Sequence, residues 1–128
     1  MATQGEGWAV SNLDELGDGF GFRKVRKELG VTAFGVNGLV LPPHYTAGQH
    51  FHEEQEELYF VHSGEVEITF GDGSTEHLGP GGLARVDAAT VRQLGNPGDE
   101  PAVILVAGGK DGYVGRDGRL PEGEDSPH

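Results

Sequence analysis

Cysteine is absent from the 128 residues. The chain can therefore form no disulfide framework, carries no thiolate nucleophile and offers no sulfur ligand, so a bound metal has to sit on histidine and carboxylate. Positive charge is scarce: nine Lys and Arg stand against 21 Asp and Glu, a formal net charge of -12. Nucleic acid and anionic membrane surfaces both recruit proteins through local cationic excess, so neither is expected as a partner. Long apolar runs are missing too. The longest, AVILVA at 102–107, is far short of the roughly 20 residues of a membrane-spanning helix. The N-terminal MATQGEGWAV has neither the basic start nor the apolar core of a secretion signal, which makes a cytoplasmic protein the expectation. Nucleophilic and phosphate-cradling motifs are also lacking: there is no Ser/His/Asp spacing and no glycine-rich phosphate loop. Any catalysis is thereby confined to metal-assisted chemistry.

Glycine, by contrast, is abundant. Gly 23 and Pro 7 make up about a quarter of the chain, while the hydrophobic fraction is 35%, collected in short runs of Val, Ile, Leu and Phe. Brief apolar runs separated by turn signals describe an antiparallel all-β sandwich or barrel in one small domain. Strands are expected near 20–27, 31–36, 38–41, 48–52, 57–63, 65–70, 83–87, 90–95 and 102–107, with turns at Ser63-Gly64, Asp72-Gly73 and Asn96-Pro97-Gly98-Asp99. Ahead of them, Ser11 can cap a short helical turn over LDEL, stopped by Gly17. This divides the chain into an N-terminal segment, 1–19, a β-domain, 20–120, and an acidic tail, 121–128, too poor in packing residues to be ordered. The basic cluster RKVRK at 23–27 reads as the solvated face of an edge strand or as a site for an anionic ligand or acidic neighbour, the first being the simpler.

The informative segment is GQHFHEEQEELYFVHSG, residues 48–64. Two residues apart on an extended strand, His50 and His52 project from one face and can share an ion. Glu57, across an acidic turn, opens an alternating strand and can return to that ion. Two imidazoles and one carboxylate suit iron(II), manganese, nickel or zinc, with coordination positions left open. Of the other polar groups, Gln49, Tyr59 and Gln93 are candidates for a pocket rim. His44 is expected in a turn, as histidine tolerates left-handed φ; His62 alternates away from Glu57, and His77 is expected to be wet. Trp8 is assigned to closing one end of a barrel. Phe51, Tyr59, Phe60 and Phe70 are expected as core or dimer-contact aromatics.

This segment resembles the first motif of the cupin superfamily: a glycine, five residues, His-x-His, three or four residues, Glu, six residues, glycine. His50, His52, Glu57 and Gly64 occupy those positions, and His44 stands where the leading glycine is expected. The second motif is altered. Gly81 and Asn96 match, but Asp87, Ala89 and Arg92 replace its proline, glycine and histidine. Over roughly residues 35–107 the resemblance implies a double-stranded β-helix, the jelly-roll cupin barrel. It also implies a homodimer and a pocket that takes a small molecule.

Arg92 sits where metal-binding relatives carry a fourth ligand, and a guanidinium cannot ligate. A unit charge about 5 Å from a divalent ion costs on the order of 6 kcal/mol at an effective dielectric near 20, or four to five decades of affinity. Arg92 can replace the metal by pairing with Glu57, swing aside from a weaker ion, or clamp a carboxylate that bridges it to the ion. The expectation is a small cupin-barrel protein that binds a small polar or carboxylate-containing molecule in its pocket, beside an incomplete divalent metal site. Its metal candidates are His50, His52 and Glu57, its ligand-binding candidates Arg92, Tyr59 and Gln49. A metal-dependent enzyme of dioxygenase, isomerase or decarboxylase type is the alternative.

Overall fold

The alternation of the apolar runs sets the architecture. In the strand over Glu56–Ser63, Glu57, Tyr59 and Val61 are buried while Glu56, Leu58 and His62 are exposed, so one face turns inward at every second residue. VEITF repeats the pattern with Val66 and Ile68. Two such one-sided sheets must bury their apolar faces against each other. The computed structural model describes residues 2–122 and shows this arrangement.

In chain order the strands are β1 (Thr3–Gly5), β2 (Trp8–Val10), β3 (Gly21–Arg23), β4 (Gly35–Leu41), β5 (Tyr45–Thr46), β6 (Phe51–His52), β7 (Glu56–Ser63), β8 (Val66–Phe70), β9 (Thr75–Leu78), β10 (Leu83–Val86), β11 (Arg92–Asn96), β12 (Ala102–Gly109) and β13 (Gly118–Arg119). A helix, α1 (Val25–Leu29), follows β3. A five-stranded sheet runs β10-β7-β12-β4-β3, and a four-stranded sheet runs β5-β11-β8-β9. Every pairing is antiparallel. Leu39, Leu41, Tyr59, Val61 and Ile104 from the first sheet meet Val66, Ile68 and Leu94 from the second in one core. This is the all-β double-stranded β-helix that the resemblance implies.

The turns follow their chemistry. Gly64 has φ 81, and a Cβ there would lie 2.7 Å from the Ala102 backbone, so only glycine fits between β7 and β8. His44 adopts φ 55 and bonds Asp99 at 2.7 Å.

Several elements differ from expectation. The strand expected over 20–27 stops at Arg23, and Val25–Leu29 winds into α1, closed by Gly30 at φ 75. VRKEL contains good helix formers, and the left-handed glycine satisfies the last carbonyls, which outweighs continued pairing at a sheet edge. Of the strands expected at 31–36 and 38–41, residues 31–34 form no strand and the rest join in one, β4, from Gly35 to Leu41. The one expected at 48–52 shortens to β6, with a single bridge from His50 to Arg92. The N-terminal helical turn is a 3-10 turn over Leu13–Glu15 preceded by Asn12, not Ser11, without a side-chain cap. Ahead of it, β1 and β2 form a hairpin with Trp8 stacked on Gly5 and 55% exposed, instead of sealing a barrel end. His77 lies on the unexpected strand β9, exposed and 2.7 Å from Glu67. Of the acidic tail, residues 123–128 lie outside the described span.

Candidate metal and ligand site

β6 and β7 carry the site, joined by a turn of three residues. His50 precedes β6 and is anchored through its backbone to Arg92. His52 points to the same side, the two rings meeting edge to face with centroids 5.2 Å apart. Glu57 enters from the start of β7. One nitrogen of each imidazole and one carboxylate oxygen all lie within 4.8 Å of one another, the convergence that a shared ion requires.

The turn is held by a residue that sequence reasoning missed. The Asp117 carboxylate accepts the N–H groups of Glu54 and Gln55, each at 2.9 Å, and a short bond from the Gln55 amide. It also accepts His52 Nδ1–H at 2.9 Å. That bond selects the His52 tautomer and turns the Nε2 lone pair towards Glu57, as carboxylates behind metal-bound histidines do. Burial pushes the Asp117 carboxyl up. The bonds from Gln55, Glu54 and His52 outweigh it and hold the group at about 2. Asp117 reaches this place because β13 pairs with β6, Gly118 opposite His52. Nothing in the local pattern of GRDGRL signals a contact 65 residues back in the chain.

Glu57 is approached on one oxygen. Its Oε1 accepts Tyr59 Oη–H at 2.6 Å, and His52 Nε2 stands 3.2 Å away without hydrogen-bond alignment. Burial raises the Glu57 carboxyl, but His52, Tyr59 and Arg92 together bring it below its usual value. Burial and the neighbouring Glu57 carboxylate keep the Tyr59 phenol well above its ordinary range, hence a hydrogen-bond donor. Burial lowers His52, yet Glu57 and Asp117 leave it raised. The same negative charges that favour a proton at Nε2 favour a cation between Nε2 and Glu57. The buried Nε2 without a hydrogen bond, its oriented partner nitrogen and the donor set of two imidazoles and one carboxylate fit a three-ligand transition-metal site.

Arg92 is fully buried, and its guanidinium donates to the carbonyls of Ala88, Asp87 and Val86 at 3.1–3.5 Å. It approaches Glu57 Oε1 only to 3.9 Å. Among the alternatives raised for Arg92, its position is one of a charge set behind the carboxylate. The guanidinium lies within ion-pair distance of Glu57 and away from the cavity lining. The cavity, about 390 Å³, is lined by His50, His52, Gln55, Glu57 and Tyr59 but by neither Arg92 nor Gln49. Gln49 is exposed, and Gln93 donates to the Ala47 carbonyl. His62 is exposed.

An antiparallel jelly-roll barrel with two histidines and a glutamate on its inner wall defines a class, and comparison identifies the family. The cupin domain model matches residues 39–108, and the chain belongs to this family. Among solved structures, a cupin protein from Bacteroides fragilis is 28% identical over 76% of this chain and 80% of its own, with a TM-score of 0.64. A sugar phosphate isomerase of the cupin superfamily from Silicibacter pomeroyi is 26% identical over 80% of this chain and 71% of its own, TM-score 0.64. The DMSP lyase DddQ from Ruegeria pomeroyi, 22% identical over 73% of this chain and 46% of its own, TM-score 0.62, shares the fold. No protein with a curated description matches.

Proposed function

We propose that this protein binds a small polar molecule in its barrel, next to a divalent transition metal held by His50, His52 and Glu57. The observation that carries the reading is the meeting of those three donors within 4.8 Å at the wall of a cavity of about 390 Å³, a volume that suits a metabolite-sized ligand. Asp117 orients His52, Tyr59 holds Glu57, and Arg92 lowers the affinity below that of a four-ligand site by placing a like charge behind the carboxylate. The donor set accepts iron, manganese, nickel or zinc.

An enzyme acting on the bound molecule is the second reading. Three ligands leave positions open towards the cavity, where an ion polarises a carbonyl or carboxylate, and one similar structure is named as an isomerase. The chain acts in the cytoplasm as a homodimer. Pairing uses the outer face of the five-stranded sheet, where Leu83 and Leu58 are 61% and 46% exposed beside half-buried Phe60 and Leu105.

The test is elemental analysis of protein prepared without chelator, followed by calorimetric titration of the stripped protein with zinc and manganese. One ion per chain that disappears in His50→Ala is expected. A wild type that binds no more metal than His50→Ala refutes the metal centre.

A further inference from the structure

The charge lining the cavity runs against the charge of the molecule. Four of the nine Lys and Arg residues, Lys24, Arg26, Lys27 and Arg116, line it, together with one of the 21 Asp and Glu, which is Glu57. Among the described residues none of these four cations has an ion pair, whereas Arg85 and Arg119 elsewhere are paired with Glu56, Asp87 and Glu53. In a chain with more than two acids per base, four unpaired cations around one cavity are not what solvation of a surface requires. They arrive from two distant segments: α1 and the residue before it bring three, and the arm leading to β13 brings Arg116. The segments meet where the Arg26 guanidinium stacks at 3.9 Å on the Tyr113 ring. Stacking holds the plane of the guanidinium and leaves its N–H edge free to donate.

We infer that Lys24, Arg26, Lys27 and Arg116 form a collar that grips an oxyanion of the bound molecule, a phosphate ester or a carboxylate, while its other end faces His50, His52 and Glu57. The inference rests on the reading of the cavity as a ligand site and supplies its ligand class. With Glu57 ionised, the lining carries three surplus positive charges, and a divalent ion raises the surplus. A neutral sugar or an amine leaves those charges without a partner. An anion in the cavity neutralises them locally, whereas salt screens charges on the remote acidic surface beyond roughly 8 Å. Val36, Leu39 and Val106 supply apolar wall for the carbon skeleton between the two ends. Three bases of the cluster at 23–27 thus serve the cavity, while Arg23 is buried and donates to the Gly19 carbonyl at 2.7 Å.

The test is calorimetric titration of metal-free and zinc-loaded protein with inorganic phosphate and, separately, with succinate at low salt. Binding of at least one anion is expected, weakening as sodium chloride is added and falling at least about tenfold in Lys24→Glu/Lys27→Glu. Zinc stoichiometry should stay unchanged in that variant. Lys110→Glu, a charge reversal outside the cavity, should bind as the wild type does. A preference for phosphate assigns phosphate esters to the collar, and a preference for succinate assigns carboxylates. The inference is overturned if neither anion binds, if the double variant binds equally well, or if Lys110→Glu is weakened as much. Failure of zinc binding with phosphate binding intact in the metal-free arm would refute the metal centre alone.

Discussion

Asp117 shows how much one side chain can carry. Its carboxylate closes the turn between the two ligand-bearing strands and fixes the His52 ring. Asp117→Asn keeps the shape but loses the charge that favours Nδ1–H on His52. Metal affinity is expected to fall about 10- to 100-fold, measured by competition against a chelator of known affinity. The same residue sets an acid limit. Its carboxyl is held at about 2 in the folded chain, against an ordinary value of 3.8. The stabilisation is therefore full above the ordinary value and disappears as pH falls through about 2. Screened by solvent, it amounts to on the order of 1 kcal/mol, and acid unfolding of metal-free protein should show Asp117→Asn losing less stability than the wild type between pH 4 and 2. Arg92 works in the opposite sense on the ion. Arg92→His removes the buried charge behind Glu57 and offers a fourth nitrogen, so zinc affinity should rise by at least tenfold; equal or weaker binding refutes Arg92 as the group that limits the site. His50, His52 and Glu57 can be read from spacing because a strand repeats its faces every two residues. Asp117 cannot, since its role depends on a partner 65 residues away.

At the level of elements, the glycines mark where backbone must come close. Gly108 on β12 lies opposite Glu57 in the pairing with β7, and a Cβ there would meet the Gln55 amide oxygen at 2.4 Å and Glu57 Cγ at 3.1 Å. Gly108→Ala should displace Gln55 from Asp117 and weaken metal binding, and because the Glu56 backbone carbonyl also lies 3.1 Å from the added Cβ, it should lower the thermal midpoint as well. Gly64→Ala meets backbone and needs φ 81, so it should lower stability by about 1–3 kcal/mol in denaturant unfolding. The long alternating strands β7, β8 and β12 are legible in the sequence, since each buries one face in the core. The short ones are legible only in part, since β6 falls inside the strand expected over 48–52 and β13 inside none. β6 and β13 have two residues each, too few for a period to register; β13 pairs with β6, which is also held by the His52 N–H bond to the Ala88 carbonyl and by the His50 bridge to Arg92. α1 reads as strand in the sequence because its basic residues carry no periodic apolar signal.

For the whole molecule, the outer face of the five-stranded sheet makes an association state testable. Light scattering during size-exclusion chromatography should give twice the mass of 13.6 kDa, and Leu58→Glu with Leu83→Glu should return the monomer; a wild-type monomer refutes the pairing. The net charge sets an expectation against polyanionic partners, and the alternation of apolar residues, with turn glycines between, selects an all-β jelly roll. These follow from local chemistry, because strand faces and positive φ are properties of neighbouring residues. Spacing within residues 48–64 likewise announces two imidazoles and an acid. The orienting carboxylate of Asp117, the retreat of Arg92 behind Glu57, and the joining of α1 with the C-terminal arm into a cationic rim arise from contacts between remote segments. Their free energy comes from burial and from charges brought together across the barrel, and no window of neighbouring residues contains both halves of such a contact.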